Sequence, residues 1–413
     1  MTSSFGWLAL DPEQRRRMME AVDQFRDETT IDDLGFGAIR DSFADALFPG
    51  TSTIQTRLRY ALFIPWLLQE ASHRQTVAGM QAMFRKYEYQ LIDALKRGGE
   101  SQGVIGVTAG RSLRRMASEV YWGSMLRWGI TEPGFTPRAY FERELLRREE
   151  LSAAPRSEDP ESRLELTPTG IDPRLPAPPE GLLQSSDFTL RPADAEYLRE
   201  SITRTCPGTL LSHLVTHRPE TWTAAHNAPS SPYDPAIRAG LPPDLLAVVD
   251  RSERFALTAQ GANLLYNLLL SRATGKHDQR RGSLTGHYQD RISAWFEEIS
   301  EREPLNAHDL HAIWQMVIAR GGRVARTTQD FITTWVRAVT EAQSAPDLTG
   351  SRALREMIIR REREKKGSRA RLTPGNQRAL DAWGGASGTS RFDYRWTNVK
   401  RHLQDLYDAE EVA

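Results

Sequence analysis

Apolar residues in this chain recur three and four positions apart in segment after segment, with no clear run of alternation, which confines it to helices packed on helices. Met80, Met83, Phe84, Tyr87, Leu91 and Leu95 give one such stripe, closed by Gly98-Gly99. Ile39, Phe43 and Leu47 give a shorter one that stops at Pro49-Gly50. A third helix is expected to begin after Thr51 or Ser52 and to run through Tyr60, Phe63 and Trp66, with a kink at Pro65. Ahead of these, Asp11-Pro12-Glu13-Gln14 supplies an N-cap carboxylate, a proline at the first helical position and a glutamine placed for a capping box. Met18, Met19, Val22 and Phe25 continue that helix on one face, so the first hundred residues read as a bundle.

The second half repeats the pattern. Leu264, Leu265, Leu268 and Leu269 belong to a helix apolar nearly all round, which a central position in a bundle requires. Tyr288, Ile292, Trp295, Phe296 and Ile299 mark the next helix, and Ile313, Met316 and Val317 another. Phe331, Trp335, Val336 and Val339 predict one that starts near Thr327. Leu354, Met357 and Ile358 open a last long helix that turns strongly charged. Between the halves, residues 189–215 read as two short helices, on Ala195, Leu198 and Ile202 and then on Leu210, Leu211 and Leu214.

Two stretches break the periodicity: residues 153–182 hold seven prolines and residues 219–243 hold six. Proline fixes extended backbone and removes donors, which suits linkers and long loops. The 413 residues exceed the roughly 250 to 300 at which one core stops growing. The expectation is a mainly α protein of two or more helical bundle domains. An N-terminal helical domain spans 1–152, a proline-rich linker or long loop 153–182, and a C-terminal helical domain 183–413, with a long loop at 219–243 and a basic helix and aromatic-rich tail at its end.

The charges balance, 54 basic against 54 acidic, so no overall field draws the molecule to nucleic acid or membrane, and any attraction must be local. Of the basic residues only six are lysines, an arginine bias that runs through the whole chain. The single cysteine, Cys206, excludes an internal disulfide and a cysteine-cluster metal site, and fits a reducing compartment. Met1 to Leu10 lacks a leader pattern, and the longest strongly apolar run, Ala61 to Leu68, is far short of the ~20 residues a bilayer needs. A cytoplasmic protein with no membrane partner is expected.

The local charge lies between residues 352 and 371. Arg352, Arg355, Arg360, Arg361, Arg363, Lys365, Lys366, Arg369 and Arg371 stand against Glu356, Glu362 and Glu364, so nine minus three leaves six positive charges in twenty residues. Such a density neutralises phosphates and releases counterions, and these nine residues are the candidate contacts to a DNA or RNA backbone. Trp383, Phe392, Tyr394 and Trp396 follow, and rings beside arginine suit stacking on unpaired bases. The competing reading is a solvated helix with ion pairs such as Glu356 with Arg360, followed by core aromatics.

Other constellations are weaker. Pro346-Asp347 with Glu364-Lys365-Lys366 matches the literal pattern of restriction-type nucleases, which makes a metal-dependent nuclease on Asp347, Glu364 and Lys366 the enzymatic alternative, but Glu364 falls in a helix-patterned run. Residues 106–130 also fit a helix-turn-helix, Arg111 to Ser118 then Glu119 to Trp128, although Tyr121, Trp122, Met125 and Trp128 form an equally good core stripe. His308 and His311 are three apart around Asp309 with no third ligand in sight, and Cys206 before Pro207-Gly208 has no histidine partner that sequence can place. A P-loop, a Rossmann glycine fingerprint and a Gly-x-Ser-x-Gly elbow are all missing from the sequence. No catalytic residue, metal or cofactor is therefore assigned.

Phe5-Gly6-Trp7-Leu8, the run from Phe48 to Arg57 leading to Arg59-Tyr60 and Pro65-Trp66, and Tyr394-Arg395-Trp396 resemble a bacterial protein family of unknown function. Gly261-Ala262 through Leu265-Tyr266-Asn267, and Gly367 to Leu372, extend the match to nearly the whole chain. The resemblance implies a full-length member whose genes lie near helicases and phospholipase-D-like nucleases in anti-phage defence regions, with no catalytic residues attached. The functional expectation is a non-enzymatic accessory subunit of a defence system, which binds nucleic acid or such a helicase or nuclease partner through the basic surface. A purely structural scaffold is the remaining alternative.

Overall fold

The computed structural model describes residues 32–153, 166–275, 277–278 and 282–410. The expected helix from Asp11 through Phe25 lies outside these residues. Among the described residues the regular structure is helical, apart from a hairpin of two-residue strands, His277–Asp278 against Gly282–Ser283, and one bridge between Thr131 and Ile171. The mainly α assignment therefore holds.

Most stripes become the helices they predict. Ile39, Phe43 and Leu47 lie on Gly37–Leu47, and the Met80 to Leu95 stripe lies on Val77–Arg97, whose cap Thr76 accepts the Gly79 backbone N–H at 3.1 Å. The third helix starts later than expected, at Tyr60, and runs to Ala71 with Pro65 inside it. The helix-turn-helix expectation reduces to one helix: Gly110–Ser112 is a single 3₁₀ turn, and Ala117–Arg127 buries Tyr121 and Met125. The Trp128 ring is buried as well, so the stripe belongs to the core. Helices that were not anticipated include the long Pro137–Ala153 and Trp396–Glu410 and the short Pro235–Arg238, Ala345–Gly350 and Gln377–Asp381, the first of these short ones inside the expected loop 219–243.

The described residues form two compact units, each discontinuous in sequence: 43–250 with 393–410, and 32–42 with 251–392. Neither proline-rich stretch coincides with a division between them.

In the unit built from 43–250 and 393–410, Tyr60–Ala71 is buried from Tyr60 through Leu68 and packs against Val77–Arg97 and Ala117–Arg127. Burial of each large apolar side chain is worth about 1.5 to 3 kcal/mol, so this helix anchors the unit. Val77–Arg97 also meets Pro137–Ala153, and Pro192–Thr205 meets Leu210–Leu214 and Trp396–Glu410. Residues 48–59 stay irregular because distant side chains satisfy their backbone. Trp128 Nε1 donates to Pro49 O at 2.9 Å, Ser124 Oγ to Gly50 O at 2.7 Å, and Tyr121 Oη accepts from Thr56 N at 2.8 Å. A Cβ at Gly50, where φ is +81°, would stand 2.5 Å from Trp128 Nε1, so only glycine fits. The described part of the first proline-rich stretch is held down in the same way: Trp66 Nε1 donates to Pro176 O and Arg191 to Ala177 O, both at 2.7 Å.

In the unit built from 32–42 and 251–392, the part of Pro243–Thr274 from Phe255 to Leu270 is buried nearly all round, as its apolar sequence requires. Gly261 lets Trp295 pack against it, since a Cβ there would meet the indole at 2.0 Å. Trp295 stacks on Trp335 at 6.1 Å, and their indole N–H groups donate to Leu257 O and Thr258 O. Leu284–Ser300, Ala307–Ala319, Arg326–Glu341 and Arg352–Lys366 add further side chains to this core.

Candidate nucleic-acid interface

The helix Arg352–Lys366 begins where Ser351 Oγ accepts the Leu354 N–H at 3.3 Å, and it ends at Gly367, whose φ is +57°. Leu354, Met357, Ile358, Arg361 and Glu362 form its buried face. Cations therefore fall on both sides of an element whose sequence looks uniformly basic.

Three of the nine candidates turn inward. Arg361 is 2 % exposed; its Nε donates to Leu34 O at 2.8 Å, its Nη2 to Thr328 Oγ1 at 2.7 Å, and its guanidinium lies 5.3 Å from the Phe331 ring centroid. Burial holds its pKa below the usual arginine value, against the pull of Glu364, which it meets at 3.5 Å. Lys366 pairs with Asp33, and Arg371 reaches the same carboxylate at 3.1 Å and Ser387 Oγ at 3.2 Å. Glu362, fully buried, accepts from the Tyr266 hydroxyl and from Arg371 N and Leu372 N at 2.8 and 2.9 Å. Burial, then the Asp33 and Glu362 charges, push the Tyr266 phenol far up, so it acts as a neutral donor. Three cations thus meet three carboxylates.

At the surface, Arg352 pairs with Glu356 at 2.7 Å, the partner that sequence reading gave to Arg360. Nine cations less Glu356, Glu362, Glu364 and Asp33 leave five. Arg355, Arg360, Arg363, Lys365 and Arg369 are the remaining five, all exposed and without an ion-pair partner among the described residues. Arg272 is exposed as well, and burial first and the like charge of Arg355 second hold its pKa below the usual value. No sequence signal links Arg272 to the basic stretch.

The aromatics that follow do not present faces for bases. Trp383 is buried, its indole donating to Asn267 Oδ1 at 3.1 Å, and Phe392 stacks on Phe255. Tyr394 and Trp396, in the other unit, are 2 % and 1 % exposed.

The nuclease pattern does not assemble. Asp347 accepts the Gln343 and Ser344 backbone N–H groups, both at 2.9 Å, as a helix cap; Glu364 is drawn to Arg361; Lys366 is drawn to Asp33. Arg352 to Glu364 spans about 18 Å of helix, and Asp347 sits in the short helix Ala345–Gly350 ahead of it. Asp309 caps its helix with Asn306 and receives Arg251 and Arg254, while His308 and His311 are exposed. Among the described residues no group of three or more His, Cys, Asp or Glu is placed to hold a metal ion. The Cys206 thiol is buried, and burial pushes its pKa up. No described helix is long and apolar enough to cross a membrane.

Fold and surface together define a multi-helix protein whose basic helix pairs its inward cations in place and leaves five outward ones without an ion pair among the described residues. The chain belongs to a family of unknown function, DUF6361, which matches residues 2–410. No curated protein and no solved structure matches it.

Proposed function

We propose that this protein is a non-enzymatic accessory subunit of a bacterial anti-phage defence system, and that it holds the phosphate backbone of DNA or RNA on the outer face of the helix Arg352–Lys366 and the turn after it. The observation that carries the reading is the set of five outward cations, Arg355, Arg360, Arg363, Lys365 and Arg369, that are exposed and form no ion pair among the described residues. Guanidinium groups suit phosphate oxygens because their donors form a planar fork. With Trp383, Tyr394 and Trp396 buried and Phe392 stacked on Phe255, the contact is to backbone charge and not to stacked bases. The defence setting, with a helicase or phospholipase-D-like nuclease as the partner served, rests on the sequence resemblance.

The test is binding of fluorescein-labelled duplex and single-stranded oligonucleotides as a function of salt. Five neutralised phosphates give a slope of log K against log salt of about −4.5 on duplex, or roughly a 500-fold loss between 50 and 200 mM salt. The triple charge reversal Arg355→Glu, Arg360→Glu and Arg363→Glu is expected to abolish binding while the melting curve is retained. Binding that survives the reversal, or that is absent at low salt in the parent protein, refutes the reading. Loss of phage protection in cells that carry the triple variant would tie the surface to defence.

A further inference from the structure

The unit built from 43–250 and 393–410 carries a second surface with chemistry of its own. Helix Leu210–Leu214 continues into one more turn, His217 N donating to His213 O at 2.9 Å, so His213 and His217 stand four residues apart on one helical face. Their rings lie parallel, 4° apart in tilt and 4.4 Å between centroids. Both line a cavity of about 390 Å³, together with Glu220, Ile237 and Gly240. The His213 Nε2 atom faces Gly240, 3.8 Å from where a Cβ would stand.

Hydrogen bonding assigns the tautomer of His217. Thr216 Oγ1 donates to the Ser212 and His213 carbonyls, at 3.2 and 3.0 Å, and so accepts at 2.8 Å from His217 Nδ1, which also faces His213 O at 3.2 Å. The proton is therefore on Nδ1 and the Nε2 lone pair is left for a ligand, the arrangement in which histidines bind metals. The His213 ring has no hydrogen-bond partner among the described residues.

We infer that His213 and His217 form a two-imidazole chelate for a borderline divalent transition metal, Cu²⁺, Ni²⁺ or Zn²⁺, with the cavity holding its remaining water ligands. Imidazole favours these ions over Mg²⁺ or Ca²⁺. Two nitrogens each about 2.1 Å from one ion stand roughly 3 to 3.5 Å apart; in the parallel stack the lone pairs do not converge, so the His213 ring, which no hydrogen bond holds among the described residues, must turn until its nitrogen faces the ion that His217 holds. The inference is independent of nucleic-acid binding, and its test contains no nucleic acid.

The experiment is titration of the intact protein with CuCl₂, read by calorimetry and by pulsed electron paramagnetic resonance of the bound ion. One saturable site with two coordinated imidazoles is expected, lost in His217→Ala and in His213→Ala and competed by ZnCl₂. Thr216→Val, which removes the group that orients His217, should weaken it by about 10-fold. His217 is exposed, so its alanine variant should melt as the parent does. A site retained in both alanine variants, a spectrum with a single imidazole, or no saturable binding in the parent protein overturns the inference.

Discussion

Arginine does opposite work in two regions of this molecule. Along residues 48–59, Arg57 forks onto the buried Asp405 at 2.8 and 2.9 Å, with Leu58 N donating to the same carboxylate at 2.9 Å. Arg59, 5 % exposed, spends its charge on Asp187 at 2.9 Å and lies over the Phe63 ring. Burial lowers the Arg59 pKa against the pull of Asp194 and Asp187, and its Nε is left without an acceptor, so folding alone makes demands of this side chain. In the helix Arg352–Lys366, by contrast, Arg355, Arg360 and Arg363 are exposed and form no ion pair among the described residues. The difference teaches that a charge is available for a partner molecule only where the fold has not already supplied a carboxylate, whatever the local density of basic residues.

The contrast is open to attack at several points. The largest expected effect is at Asp405: Asp405→Ala leaves Arg57 and the Leu58 N–H without their acceptor and should cost about 3 to 5 kcal/mol, read from urea unfolding. A loss below about 1 kcal/mol would mean that the loop does not depend on its inward arginines.

The pH dependence of stability sharpens the same point, because two groups in that unit titrate with opposite signs. Burial, with smaller contributions from Arg401 and Arg57, lowers the pKa of His402 to about 3, and neither ring nitrogen finds a partner. The unfolded chain binds that proton first, so stability is complete above about pH 6.5 and falls as the pH drops toward 3. Burial raises Glu88 to about 7, opposed by its hydrogen bonds from Ser118, so its contribution is complete below about pH 4.5 and is lost as the pH rises to 7. Between pH 4.5 and 6.5 the slopes oppose each other at up to about 1.4 kcal/mol per pH unit each. His402→Gln should therefore expose a decline with rising pH, and Glu88→Gln a decline with falling pH, where the parent is nearly flat. Parallel curves for all three proteins would show that these groups do not titrate on unfolding.

The smallest expected effect on stability belongs to the outer cations. Arg363→Ala should change it by no more than about 0.5 kcal/mol while it weakens binding of an oligonucleotide at low salt. A larger loss would reveal a partner for Arg363 and move it into the same category as Arg57.

Much of the architecture was legible in the chain. The stripes on Val77–Arg97, Leu284–Ser300 and Arg326–Glu341 are periodic enough to define helices; Gly98 closes the first of them, and Pro49-Gly50 follows the end of Gly37–Leu47. Val399, Leu403 and Leu406 carry the same spacing within Trp396–Glu410, a helix masked by the aromatic run before it. The stretch from Thr51 to Arg59 could not be placed, because what keeps it irregular is Tyr121 and Asp405, 64 and 348 residues from Arg57. The two compact units were equally hidden, since each joins pieces far apart in sequence.

The sequence by itself determined the fold class and the presence of a segment with nine cations, because both depend on residues near each other along the chain. Which of those cations point outward was decided only by the tertiary structure. A helix turns 100° per residue, so adjacent residues such as Arg360 and Arg361 face opposite environments, and the carboxylate that holds Lys366 and Arg371 is Asp33, more than 330 residues upstream. Neutralisation acts through space over a few ångströms, and no window of sequence contains that information.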